Sequence, residues 1–367
     1  MKTITRCAVA AWLAVSLLGA MPVRGADWQA GAPPEWQKIL AAAKKEGRIA
    51  VAGPPQIATA ISEAFRRDTG IEVEYLGGEA RNTASRVARE VRAGNVTIDA
   101  MFTGTVELPL VKEGFFEDQK ARLILPGATD PKNWVGGELK WVDNTKRFML
   151  QTLSYLGSVP FYNSNLVKPG ELTTWKDLLK PQFKGKIVIY DPRAGGPGQQ
   201  AAAYLASDLG MDYVKALYVG QSPVFSVDSR QMVEWLARGV HLVALGVLAP
   251  DYLAFRDAGI KHIVPLSMKD GPGTVSGGFS VILLPKKAPH PNAQTVFLNW
   301  FVSQPGQEVF ARAWNAPSRR TDVKIDSIPE YIVPKAGVKY QDQYNEDFNT
   351  NVRQSAIKQV VDVIGGR

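Results

Sequence analysis

Cysteine is all but missing from this 367-residue chain; the one present, Cys7, lies in the N-terminal apolar stretch. Beyond that stretch there is no disulfide, no thiolate metal site and no cysteine nucleophile. Such a chain must hold itself together by burying a core, which its length permits. Histidine is nearly as scarce. His241, His262 and His290 are far apart, and none belongs to an H-E-x-x-H metal pattern. The first two lie in apolar strand contexts that suit structural roles, and His290, between two prolines, reads as an exposed turn residue. Neither the phosphate loop G-x-x-x-x-G-K-[ST] nor the nucleophile elbow G-x-S-x-G occurs. Charged residues make up 21% of the chain and are scattered. The basic stripe of a nucleic-acid reader is missing, so no nucleic-acid partner is expected.

The N-terminus is present for a different purpose. MKTITR is basic, CAVAAWLAVSLLGAM is apolar, and small residues follow at VRG-A. This is the layout of a secretory signal, cleaved after Gly25 or Ala26. The apolar run is short for a bilayer span of about 20 residues. Removing residues 1–25 takes away Lys2, Arg6 and Arg24 and no acid, which lowers the formal charge of +8 by three. That mild positive balance suits solubility as well as it suits attraction of an anion.

After the signal the hydrophobic period changes in a regular way. EWQKILAAAKKE has helical spacing and stops at Gly47, RIAVA reads as a buried strand, and QIATAISEAFRR is a second helix. IEVEYLG alternates as a strand, TASRVAREVRAG is helical, and IDAMFTG returns as a strand. This β-α-β-α-β order predicts a mostly parallel sheet covered by helices. Longer extended runs follow, FMLQTLSYLGSVPFYN the clearest. A second α/β series then runs through KIVIYDP, a helix over 199–209, SRQMVEWLARG and VHLVALG. FSVILLP reads as a long strand, and a final helix is expected over 350–364. The expected organisation is an α/β protein of two lobes joined by two strand-like crossings, near 151–162 and 277–284, with a cleft between the lobes. Residues 26–155 plus 276–320 form the first lobe, 156–275 the second, and 321–367 is a C-terminal segment assigned to neither.

In open α/β sheets ligands sit beyond the carboxyl ends of strands, and the loops expected there suit holding a ligand without reacting with it. DPRAGGPGQQ offers Arg193, Gly195, Gly196 and a helix N-terminus, favourable to anions; equally, its glycines serve a tight turn. GGEARNTASR places Arg81 near a helix start, and FTGTVE places Thr103 and Thr105 past a strand end. SVDSRQ offers Ser226 and Arg230, with Asp228 or Ser229 as the helix cap. Pro55, Tyr155, Thr274 and Ser276 complete the expected contacts. No cofactor and no catalytic residue is expected; the enzyme alternative is an exported hydrolase using the same cleft.

Three stretches, AFRRDTGIEVEYLGG, FYNSNLVKPGELTTWKDLLKPQFKGKIVIYDP and PKKAPHPNAQTVFLNWFVSQPGQEVFA, resemble bacterial extracellular solute-binding proteins of ABC importers. The ferric-ion-binding subgroup is the nearest in character. The resemblance implies the type 2 periplasmic-binding fold, a two-strand hinge, closure on a small-molecule ligand, and delivery by a monomer in the periplasm to a membrane permease with its ATPase. Iron-binding members carry adjacent tyrosines where this chain has Val247 to Pro250, with Tyr252 nearby and Glu79 an isolated carboxylate. Hard ferric iron needs anionic oxygens. The arginines favour an organic anion, a carboxylate or phosph(on)ate. Ferric iron, or a cation such as thiamine or a polyamine held by Tyr155, Tyr190 and Asp191, is the alternative. A sensory role shares the same fold.

Overall fold

The computed structural model describes residues 27–365 apart from Glu79, Val106 and Gly195, and only the backbone of Ala80, Arg81 and Asn82. The expected signal therefore lies outside the described residues. The regular elements begin with α1 (Pro34–Glu46), β1 (Arg48–Gly53), α2 (Ala58–Thr69), β2 (Glu72–Gly77), α3 (Ala80–Ala93) and β3 (Ala100–Thr103). After a long stretch with three short helices (Leu108–Lys112, Gln119–Arg122, Pro126–Thr129) come β4 (Tyr155–Gly157), β5 (Phe161–Asn163), β6 (Ile187–Tyr190), α4 (Gly196–Tyr204), a short helix (Met211–Lys215), β7 (Val224–Ser226), α5 (Ser229–Ala237), β8 (Val243–Leu245), α6 (Ala249–Asp257) and β9 (Ile263–Pro265). The chain continues through β10 (Thr274–Ser276), β11 (Val281–Leu283), α7 (Pro291–Val302), α8 (Gln304–Trp314), β12 (Gln341–Asp342) and α9 (Gln354–Ile364).

These strands build three sheets. The first has the order β11-β3-β1-β2, with β1 parallel to both β2 and β3 and β11 antiparallel. The second runs β7-β6-β8-β5-β9, with β6 parallel to both β7 and β8 and β5 antiparallel to both β8 and β9. Between them lies a small ribbon, β12-β10-β4, in which Tyr155 pairs Ser276 and Gly157 pairs Thr274. The chain crosses from the first sheet to the second through β4 and returns through β10.

Apolar patterning explains the layers. Ile187 and Ile189 pack into one buried cluster with Val243 and Leu245, while Val188 and Ala244 face another. A strand buried on both faces reads as a continuous apolar run rather than an alternating one. On the first sheet, Phe102 stacks on Phe310 and meets Phe301 edge-on, under a helical layer in which Phe65 contacts Phe297 and Trp300. α1 stops at Gly47, whose φ of 73° lets its amide close back on Ala43.

His290 is not an exposed turn residue. Its ring Nδ1 lies 2.8 Å from the fully buried carboxylate of Asp99, which also accepts the amides of Ala50 and His290. The pair anchors the start of α7 to β1. The segment after β12 reaches both sheets. Glu346 takes Lys112 at 2.7 Å and the amide of Asn144, and Tyr344 donates to the Gly278 carbonyl. Beyond it, α9 lays Ala356 and Ile357 against Ala203 of α4, and Val360 and Ile364 join the core with Val214 and Leu217.

Candidate functional site

The parallel strands β6, β7 and β8 end together, and each feeds a loop and a helix. At the end of β6 the helix α4 starts almost on top of its own strand. A Cβ on Gly198 would lie 2.5 Å from the Tyr190 carbonyl, so no larger residue fits that first turn. Gly246 after β8 has φ 87° and faces Tyr190 Cβ at 2.7 Å in the same sense. The glycines of this loop therefore serve close packing first. Gly196, at φ 55°, has open space around it, and Gly195 lies outside the described residues.

Arg193 folds back on its own loop. Its guanidinium bonds both Asp191 oxygens at 2.7–3.0 Å and lies 5.6 Å from the Phe225 ring. That bond holds the Asp191 carboxyl below the usual range, against some desolvation. Ser226 accepts the Asp228 amide at 3.1 Å, while Asp228 caps α5 by accepting from Gln231. Ser229 is not the cap; its hydroxyl accepts the Leu248 amide at 2.8 Å and ties the β7 and β8 loops together. Arg230 is exposed, lies 5.5 Å from the Phe255 ring, and has no carboxylate within 4 Å among the described residues.

A second group gathers at the ribbon between the sheets. Thr103 donates to the buried Glu107 carboxylate, and Thr105 donates to Asn349 at 2.9 Å. Gly104 and Gly278 meet so closely that a Cβ on Gly104 would lie 2.9 Å from the Gly278 carbonyl. Burial raises the Tyr155 phenol, and bonds with Trp314 and Ser276 oppose that shift. Ser276 also accepts the Gly278 amide. Thr274 is fully buried and its hydroxyl makes no hydrogen bond. Pairing places Tyr155, Thr274 and Ser276 on one face of the ribbon and Leu156 on the other. Pro55 is exposed at the end of β1 beside Gly77. Arg81 lies in α3, its side chain outside the described part, as is Glu79.

Thr103, Thr105, Tyr155, Thr274 and Ser276 are thus brought together, and Arg193, Gly196 and Ser226 form a separate group on the second sheet. Asn349 and Tyr344, which complete the ribbon group, carry no local signal in the sequence. Tyr252 is 6% exposed, packed on Phe161 at 4.8 Å and Tyr331 at 5.4 Å, and burial pushes its phenol up. It is a core residue rather than a tyrosinate waiting for iron. Among the described residues no group of three or more His, Cys, Asp or Glu side chains is placed to hold a metal. None of the described helices is long and apolar enough to cross a membrane.

Two α/β sheets joined by short ribbon strands, with loops meeting at strand ends, define a two-lobed chain of the type 2 periplasmic-binding fold. The bacterial extracellular solute-binding protein family matches residues 60–331, and the chain belongs to it. An uncharacterized protein of Haemophilus influenzae is 24% identical over 310 residues, 81% of this chain and 84% of that one. A Trichodesmium protein (IdiA, FutA) solved with iron and citrate superposes with a TM-score of 0.67 at 20% identity, covering 88% of this chain and 100% of that one. AfuA from Actinobacillus pleuropneumoniae, solved with fructose-6-phosphate, gives 0.60 at 19% identity over 87% and 99%.

Proposed function

We propose that this chain is the periplasmic receptor of an ABC importer, exported by a cleaved signal. It captures a small anionic organic solute, a carboxylate or phosph(on)ate, and hands it as a monomer to a permease and ATPase. The carrying observation is the state of the charges at the strand ends. Asp191 is tied to Arg193, Asp228 caps α5, and Glu107 takes the Thr103 hydroxyl. The guanidinium of Arg230 has no such partner among the described residues. A cation would meet carboxylates already in use, whereas an anion meets a guanidinium and helix N-termini. Ligand contacts with both lobes favour the closed state over the open one, and β4 and β10 are the strands that must flex. The chain itself does no chemistry on the solute.

A thermal-shift series with citrate, phosphonates, fructose-6-phosphate, ferric citrate, thiamine and spermidine tests this. A ligand at a hundredfold excess over Kd stabilises by about 2.7 kcal/mol. The expected result is a shift with an iron-free anion that weakens in Arg230→Ala. A shift confined to ferric citrate, with a tyrosinate-to-iron absorption band, would replace this reading with iron import, the second reading supported by the Trichodesmium neighbour. Turnover of an ester or phosphate by the purified chain would replace it with hydrolysis.

A further inference from the structure

A cavity of about 370 Å³ opens beside the ribbon, and none of the expected strand-end contacts lines it. Its wall includes chain leaving and re-entering the ribbon, Leu156 to Pro160 and Gly271 to Gly273, together with residues of the segment 329–340. The lining is mainly apolar and includes Trp175 and Tyr331. Two residues of this wall, Ser158 and Tyr331, carry a buried hydroxyl that makes no hydrogen bond, and both oxygens are shut off from the cavity as well as from solvent. Native structures leave few such groups, each at a cost. Ser158 also holds φ 56°, a conformation that persists where the surroundings demand it and that clusters at ligand sites.

Two cations, Arg256 and Lys335, stand at the same wall against one carboxylate, Glu330. Arg256 reaches Asp257 through Nε and one terminal nitrogen, at 3.1 and 3.0 Å. Lys335 has no carboxylate within 4 Å among the described residues. A volume near the lower end of small-molecule sites, about 300–1,000 Å³, fits a compact body with one charged end. The geometry points to a second binding site, separate from the strand-end loops, for a small organic acid: an apolar ring or branched chain inside, its carboxylate held at the rim by Lys335 and by the terminal nitrogen of Arg256 that Asp257 leaves free. Because the wall is ribbon backbone, occupancy and lobe closure alter one another's free energy equally.

The test is calorimetric titration and thermal melting of the full mature chain with phenylacetate, cyclohexanecarboxylate and 4-methylpentanoate, and with phenylacetamide as the uncharged twin. Saturable binding of at least one acid is expected, tenfold weaker for the amide and tenfold weaker in the Arg256→Gln/Lys335→Ala double variant. Tyr331→Phe should melt no lower than wild type, since it removes an unpaired hydroxyl, and should bind the acid as wild type does, since that hydroxyl does not reach the cavity. Arg230→Ala should keep this binding while losing the strand-end anion, so the two sites fail separately. Three results overturn the site: no saturable binding of any acid, equal binding of the amide, or loss in Arg230→Ala with the double variant intact.

Discussion

Replacing Gly278 by alanine should disturb the ribbon in a way that one oxygen explains. Gly278 has φ 57°, and a Cβ built there lies 2.3 Å from the Tyr155 hydroxyl oxygen, with ring carbons at 3.2 and 3.3 Å. The left-handed backbone costs alanine about 1–2 kcal/mol, and overpacking against the oxygen about 1–3 kcal/mol more. Gly278→Ala should therefore lose about 2–5 kcal/mol. Tyr155→Phe removes the oxygen and its bonds to Ser276 and Trp314, about 1 kcal/mol by itself. In the double variant the alanine methyl meets only ring carbon. Its loss should fall short of the summed single losses by about 1–3 kcal/mol, the overpacking share alone. Urea unfolding followed by tryptophan fluorescence measures all four corners of the cycle. Additivity within about 0.5 kcal/mol would mean that the methyl and the hydroxyl do not meet, and the close packing of the ribbon would be refuted.

Arg320 is 3% exposed by side chain, bonds Asp322 at 2.6 and 2.8 Å and the Gly127 and Val302 carbonyls, and lies over Trp134. Arg320→Ala should cost about 3–5 kcal/mol in urea unfolding, with Arg320→Lys recovering only part because it lacks the planar fork. Burial raises the Asp177 carboxyl, but the Lys180 ammonium and the Thr173 and Thr174 amides outweigh it and hold the group well below its ordinary range. A depressed carboxyl stabilises above its unfolded value and loses that as pH falls through the folded one. Asp177→Asn should thus cost about 1 kcal/mol at pH 7, and its gap from wild type in melts should narrow below about pH 4. Ile364, fully buried in the second-sheet core, should cost about 2–5 kcal/mol on truncation to alanine; a change under about 0.5 kcal/mol in the same urea assay would show that α9 is not docked there.

Element type was most legible where hydrophobic period decides it. The expected helix from Glu35 to Glu46 and strand from Arg48 to Ala52 differ from α1 and β1 by one residue at an end. FSVILLP misled, because a long apolar run is not a long strand. Gly278 and Phe279 form a turn closed by the Ser280 amide on the Gly277 carbonyl, and β11 pairs with β3 only over Val281 to Leu283. The site was less legible, because partners decide what a polar side chain does. Arg193 has the chemistry of an anion contact, yet Asp191, two residues away, occupies it. Thr105 reads as a free hydroxyl until Asn349 arrives from the far end of the chain. His290 reads as a turn residue until Asp99 is folded beneath it.

The third strand of the ribbon has a consequence for how the molecule comes into being. β10 pairs with β4 on one side and with β12 on the other, and both partners are distant in sequence. Loop-closure entropy must be met before such pairings return anything, so they form late. The first sheet has the same property, since β11 must come back to lie beside β3. A nascent chain can assemble β1, α2 and β2 as they emerge, but neither lobe acquires its full set of neighbours until residues 341–364 are available. Docking of residues 341–364 is therefore expected among the last steps of folding, and a chain cut before them should lack the third ribbon strand and the helix that packs on the second sheet.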